Sequence, residues 1–466
     1  MKPSILFLTV LLMAASKSTS MAQVSPRAVD VANRPGDKWV PKPTRSLDDV
    51  PGAAAIAPDT ALSRYGGLTS RKEKATGFFR TAKVKGRWWL VDPEGYLFHQ
   101  RGVTSVSMPN TQTAFKAWKA EFRTETQWAE RTNTLLRNHG FNGFGAWTDT
   151  QALRAFEKPM AYTRIWNFMS SYGKKRGGTY QKPGHTGYPG DCIFVFDPEF
   201  EKFCNEFARQ LTADKDDPWL LGHFSDNELP LPANALQNFL TLPESNAGHH
   251  AAWKWLREKK GASAREKDIK PEDSAAFLEF MVDRYFGIVS QAIKKHDPNH
   301  LYLGARFHGR ALRSPEVFRA AGRHVDVISV NYYHAWTPEP ERLAMWSGES
   351  GKPVLITEWY AKAVDSGMAN HSGAGWLVKT QRDRGLFYEN FTLGLLQSKE
   401  CVGWHWFKYI DNDPTNTRAD PSNTDSNKGI LNNRYQPYTP LLDSMKRINE
   451  RAYGIIDHLE NAQSNK

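Results

Sequence analysis

LLGHFSDNEL (Leu220–Leu229) is a short apolar run that breaks off into Ser-Asp-Asn-Glu, and PVLITEWY (Pro353–Tyr360) is a second such run that reaches a glutamate. Brief stretches of this kind, apolar at consecutive positions rather than alternating ones, suit strands buried on both faces of a parallel sheet. Six further short strand candidates follow: Phe98–Val106, Phe141–Trp147, Ala161–Trp166, Leu301–Phe307, Val325–Tyr332 and Val402–Phe407, with the two quoted runs extending over Trp219–Ser225 and Pro353–Glu358. Helical segments lie between them. Glu272–Lys295 is periodic and stops at His296-Asp297-Pro298, where proline cannot continue a helix. Asp197-Pro198 reads as the cap and first residue of a helix over Asp197–Leu211, and Trp376–Ser398 reads as another. Eight strands alternating with helices predict an α/β fold of the (β/α)8 TIM-barrel type with inserted loops. A doubly wound sheet is the competing arrangement, but no glycine-rich phosphate loop follows the first strand.

Upstream of the barrel the texture changes twice. Residues 1–22 read as a signal peptide: Lys2 is followed by the apolar run Ile5–Ala15, too short to span a bilayer, and by small residues at Ser20 and Ala22. The expected product is an exported chain, periplasmic or extracellular, with no membrane insertion. Residues 23–75 are rich in Pro, Ala, Ser and Arg and read as an extended arm or linker. The catalytic barrel is expected over 76–460, entered through AKVKGRWWLVDPEGYLF, a hairpin turning at Asp92-Pro93-Glu94-Gly95 that closes the barrel bottom.

Composition narrows the partners. The formal charge of +11 falls to about +9 once Lys2 and Lys17 leave with the leader. A basic surface favours polyanions, yet the cations are scattered and no nucleic-acid motif is present, so a nucleic-acid partner is not expected. With 16 Trp, 16 Tyr and 25 Phe the chain is rich in rings, which either fill a large core or stack on the C–H faces of sugars. Cys192, Cys204 and Cys401 allow one disulfide at most, Cys192 with Cys204, and buried free thiols are the simpler reading.

The chemistry rests on Glu228 and Glu358. Barrel enzymes place reacting groups at the C-terminal ends of strands, and these two glutamates close the fourth and seventh candidates. Hydrolysing a glycosidic bond with retention needs one carboxylic acid to protonate the leaving oxygen and a second carboxylate to attack the anomeric carbon from the other face. Either glutamate alone reads equally well as a loop cap; the pair, on strands facing each other across the barrel mouth, points to Glu228 as acid/base and Glu358 as nucleophile. Asn227, beside the first, can hydrogen-bond a sugar hydroxyl next to the breaking bond.

These residues resemble the large clan of retaining barrel glycosidases. DVISVNYYHAW (Asp326–Trp336) is similar to the sixth strand of its β-glucuronidase-like members, a likeness that carries Asn331 and Tyr333 into the site, Tyr333 near the nucleophile. A tighter resemblance covers most of residues 80–450: GRWWLVDPEGYLFHQRGVTSV (Gly86–Val106), GHFSDNEL (Gly222–Leu229), the long stretch Thr357–Ser398, GWHWFKYIDNDP (Gly403–Pro414) and SNKGI (Ser426–Ile430) closely resemble glycoside hydrolase family 50, the β-agarases. The resemblance implies a red-algal galactan as substrate, cleavage of β-1,4 galactosyl bonds and, often, exo-action. Longer members carry a β-rich carbohydrate-binding domain before the barrel. Residues 23–75 are too few and too irregular for a sandwich of ~100 residues, so anchoring to solid polymer is not expected. A Gly- and Lys-rich stretch at 170–190 departs from the family and can reshape the cleft.

Secondary candidates surround the pair. Trp406 is a candidate sugar platform, with Trp404 on the same strand face; Trp147, Trp166, Trp336 and Trp359 lie at strand ends, where a ring can meet sugar or cap the barrel. His308 can bind a hydroxyl, although a lone histidine is more often structural. Arg101 either orients the nucleophile or sits in an internal ion pair. Asp411-Asn412-Asp413 resembles an acidic metal loop, but loop capping is the simpler reading, and neither metal nor cofactor is expected. The rival substrates are a β-galactoside or a sulfated galactan such as porphyran or carrageenan, mildly favoured by the basic charge; a non-catalytic sugar-binding barrel is disfavoured because both glutamates are present.

Overall fold

The computed structural model describes residues 27–109 and 111–464. The leader reading, on residues 1–22, lies outside the described residues. Eight parallel strands form the central sheet: Gln100–Val103, Gly143–Phe144, Ala161–Ile165, Leu220–Phe224, Leu301–Tyr302, Ile328–Asn331, Val354–Glu358 and Cys401–Trp406, each paired with its neighbours in chain order and the first with the eighth. The fifth and sixth strands close the ring through a bridge between Phe307 and Val330, reinforced by Phe307 N–H donating to Ser329 O at 2.9 Å and Asn331 N–H to Phe307 O at 2.9 Å. The chain therefore folds as the (β/α)8 barrel its strand pattern predicts, and all eight strands fall inside or within one residue of the predicted runs.

The helices form the outer layer because their apolar faces need the strands' outer faces to cover them. Pro271–His296 runs as expected and ends at Asp297 before Pro298. Two helix readings are corrected. Asp197 does not cap the helix that follows: its carboxylate is taken by Arg176 and by the Tyr172 hydroxyl at 3.3 Å, and the helix starts later, Phe200–Phe207. Trp376–Val378 is a strand, and the helix is Gln381–Gln397, opened by a reciprocal cap in which Thr380 Oγ1 accepts from Asp383 N–H at 3.1 Å and Asp383 accepts from Thr380 N–H at 3.0 Å.

That strand explains a third difference. Residues 27–75 are bound into the barrel body rather than forming a free arm. Ala28–Ala32 pairs with Val40–Pro43 on one side and with Trp376–Val378 on the other, turning Val29 and Val31 inward by the two-residue period. Leu68–Lys72 pairs with Tyr96–Phe98, joining the hairpin Arg87–Val91 and Arg80–Val84 in a four-stranded sheet. This sheet covers the N-terminal end of the barrel, where Phe79, Leu90 and Phe98 pack on Leu221, Leu303, Val327, Leu355 and Val402. Arg101 belongs to this lower region and makes no salt bridge within 4 Å among the described residues: its Nε donates to Gly140 O at 3.2 Å, its guanidinium lies 5.2 Å from the Tyr453 ring centroid, and its charge acts on Asp59. Cys192, Cys204 and Cys401 are buried free thiols. No helix among the described residues is long and apolar enough to cross a membrane.

Candidate active site

The C-terminal ends of the strands surround an open cavity of about 750 Å³, lined by Glu228, Glu358, Asn331, Tyr333, His308 and Trp147 among others. The backbone that delivers these side chains is unusual. Ser105, Trp147, Asn167, Glu228, Arg306 and His334 follow strands one to six in turn, and each has a left-handed φ between 53 and 63°. Non-glycine residues held there cost on the order of 1 kcal/mol or more each, and they persist only where surrounding structure enforces them. Four of them, Ser105, Trp147, Glu228 and His334, line the cavity.

Glu358 ends the seventh strand and is nearly enclosed, 5% exposed. Its Oε1 accepts from Arg306 Nη2 at 2.8 Å and its Oε2 from the Tyr333 hydroxyl at 2.5 Å. Burial pushes its carboxyl upward; the Arg306 charge pulls it down, Glu228 pushes it up, and the Tyr333 hydrogen bond opposes that rise. Both carboxylate oxygens are thus fixed by donors that favour the anion. Glu228 differs. Its Oε1 accepts one hydrogen bond, from Asn331 Nδ2 at 2.8 Å, and burial, partly offset by that bond and by Arg306, raises its pKa to about 7. Burial raises both carboxyls, but Glu358 has two donors on its oxygens, one of them cationic, and Glu228 has one neutral amide, an asymmetry in hydrogen bonding that suits a base and an acid within a pair.

Arg306 ties the two together, and nothing in its sequence context marked it. Fully buried beyond the fifth strand, it also donates from Nη1 to Asn227 Oδ1 at 3.0 Å and lies 4.2 Å from the Trp147 ring centroid. Thr357 extends the network by donating to Asn331 Oδ1 at 2.8 Å. Asn227 is not among the residues that line the cavity; its amide donates to Gly184 O at 3.1 Å and its oxygen accepts from Arg306 at 3.0 Å and Asn331 at 3.3 Å. Lys428, from the SNKGI stretch, also lines the cavity, held by Ser422 O at 2.5 Å and Asn423 Oδ1 at 2.9 Å.

The aromatic candidates divide by strand face. Trp147 is brought into the cavity, 37% exposed, with Arg306 behind it. Trp404 and Trp406 share one face, as expected, but that face points out toward helix Gln381–Gln397. Trp404 Nε1 donates to Tyr388 OH at 2.7 Å, and Trp406, fully buried, donates to Lys428 O at 3.1 Å. Trp359 stacks on Phe391 of that helix with centroids 4.3 Å apart, and Trp336 lies against Phe387 at 4.7 Å with its N–H on Thr44. Trp166 gives its N–H to His223 Nδ1 at 3.0 Å. Trp406, Trp359 and Trp336 are therefore buried packing residues, and Trp166, partly exposed, is not among the residues that line the cavity. Asp411 is a loop cap, accepting from Asn427, Gly429 N–H and Tyr438.

The stretch at 170–190 supplies a wall. Tyr180–Lys182 and His185–Gly187 form a hairpin whose tip, Pro183-Gly184, lines the cavity. Asp420 holds Gly184 N–H at 2.8 Å, and a Cβ on Gly184, at φ 86°, would stand 3.3 Å from Glu228 Oε2. Glycine is required by both the backbone and the close approach.

No family model matches the chain. It is 28% identical to Beta-agarase B of Vibrio sp. (strain JT0107) over 84% of its own length, and 25% identical to Beta-agarase A of the same strain over 87%. The chain spans about half the length of these curated relatives, 50% and 49%. Among solved structures it resembles BpGH50, with 30% identity and a TM-score of 0.82 over 93% of this chain and 96% of that one. It also resembles the agarase AgWH50C, with 27% identity and a TM-score of 0.69 over 86% of this chain and 67% of that one.

Proposed function

We propose, since this chain belongs to glycoside hydrolase family 50, that it is an exported retaining hydrolase of β-1,4 galactosyl bonds in agarose or its oligosaccharides. The observation that carries the reading is the unequal pair in one cavity: Glu358 fixed by Arg306 and Tyr333, Glu228 buried with a single donor. The relatives named Beta-agarase support the substrate class. Export rests on the leader-like residues 1–22.

In the first step Glu228, in its neutral form, gives its proton to the glycosidic oxygen while a Glu358 oxygen attacks the anomeric carbon. The C–O bond to the leaving sugar breaks as the glycosyl–enzyme ester forms. Arg306 and Tyr333 keep Glu358 oriented and ionised until its charge moves into the new bond. In the second step Glu228, now a carboxylate, takes a proton from water, whose oxygen attacks the same carbon and frees Glu358. Asn331 serves both steps, since its amide orients Glu228 and lines the cavity. Trp147 offers the exposed ring face against which a sugar can stack.

Product analysis on defined agarose, porphyran and carrageenan oligosaccharides tests the substrate. Release from agarose oligosaccharides is the expected result; none from agarose with release from a sulfated galactan would transfer the mechanism to the rival substrate.

A further inference from the structure

Two clusters of histidine and carboxylate stand out, and they differ in what remains free. In the first, His223 Nε2 and His300 Nδ1 both meet Asp297 Oδ2 at 2.7 Å, His300 Nε2 reaches Asp217 O at 2.8 Å, and His223 Nδ1 accepts from Trp166. Every ring nitrogen has a protein partner, so the cluster is structural. In the second, His185 Nδ1 lies 3.7 Å and His308 Nε2 3.8 Å from the same oxygen, Glu228 Oε2, too far for hydrogen bonds. The three candidate donor atoms lie within 4.8 Å of one another, and His185 Nδ1 is buried without a hydrogen-bond partner among the described residues.

We propose that His185 Nδ1, His308 Nε2 and Glu228 Oε2 form a binding site for a divalent transition metal ion of the Zn2+ type, whose occupation disables the acid/base. Ligand atoms about 2.0–2.1 Å from a tetrahedral ion stand about 3.4 Å apart, so the two separations from Glu228 need only a few tenths of an ångström of closure and the imidazole pair, within 4.8 Å, at most about 1.4 Å. Two imidazoles and one carboxylate with an open side suit Zn2+ or Cu2+ and not the oxygen-seeking Ca2+ or Mg2+. Glu228 is already oriented by Asn331 through its other oxygen, and His185 rides on the hairpin that Asp420 anchors at Gly184. The nearby cation Arg306 is committed to Glu358 and Asn227, which offsets its repulsion of a bound ion. A metal on Glu228 Oε2 would exclude the proton that hydrolysis requires; this inhibitory half rests on the function proposed above, whereas the site itself does not.

Calorimetric titration of the full chain with ZnCl2 near neutral pH tests the site without an activity assay. A single saturable site is expected, weakened at least about tenfold in both His185→Ala and His308→Ala, with no saturable heat from CaCl2. Co2+ added to the unaltered chain should give the intense visible bands of a low-coordinate imidazole site, an independent reading should either variant fold poorly. Absence of saturable Zn2+ binding and of those bands, or binding unchanged in both variants, would overturn the site. Zn2+ binding with undiminished hydrolysis would overturn the inhibitory half. Binding without hydrolysis of any galactan supports the site and counts against the proposed function alone.

Discussion

The two ends of the barrel are built from the same strands to opposite specifications. At the N-terminal end Leu90 and Phe98 of the covering sheet meet Leu221, Leu303, Leu355 and Val402, and the residues there are nearly all apolar and fully buried. At the C-terminal end the strands run out into left-handed residues, two buried carboxyls and a buried arginine around an open cavity. The lower end supplies stability through burial; the upper end holds charge and strain that only the rest of the fold makes tolerable. If that division is right, substitutions at the two ends should move different measurements.

The largest effect is expected at the nucleophile. Glu358→Ala should lower kcat on the order of 10^4-fold or more with the thermal midpoint unchanged or higher, checked by steady-state kinetics beside thermal unfolding. Below it, Phe98→Ala should cost about 3–5 kcal/mol in denaturant unfolding while kcat/KM, measured where the chain is folded, stays the same. A large loss of kcat/KM from Phe98→Ala would break the division. Arg306→Lys keeps the charge but not the fork that reaches Glu358 and Asn227 together, so kcat should fall on the order of 10^2-fold with little change in KM.

Acidity sharpens the contrast further. Glu228 must be protonated for the first step and its pKa is raised to about 7, so kcat/KM should fall as pH rises through about 7, roughly tenfold per unit above it. Glu228→Gln should remove that limb from whatever activity remains. The smallest effect is expected at Trp147→Ala, where losing one exposed ring face should raise KM by several-fold with kcat little changed.

Much of this was legible because burial on both faces writes itself as consecutive apolar residues. Most of the eight strands carry that mark, though the first, Gln100-Arg101-Gly102-Val103, does not, and the glutamates of LLGHFSDNEL and PVLITEWY were visible as charges where such runs stop. What stayed hidden depends on direction. The predicted rings of Trp359, Trp336 and Trp406 turn toward Phe387, Tyr388 and Phe391 of one helix, and strand parity alone does not say which face looks inward. His405, between Trp404 and Trp406, takes the opposite face and meets Phe224. The left-handed turns at Trp147, Glu228 and Arg306 use no glycine, so the usual signal for such a conformation is missing. Arg306 shows how far context matters, for a lone arginine after LYLGA gives no hint of its partners Glu358 and Asn227. The 27–75 stretch read as an arm because its strands are short and one of them, Ala28–Ala32, is tied to the barrel body by residues more than three hundred positions later, at Trp376–Val378.

The central claim is that Glu228 and Glu358 act as acid/base and nucleophile through a covalent intermediate. Proton NMR of the anomeric signals during hydrolysis of an agarose oligosaccharide tests it most directly. The account predicts that the new reducing end appears first as the β-anomer and only later equilibrates. An α-anomer appearing first would mean inversion and would contradict it.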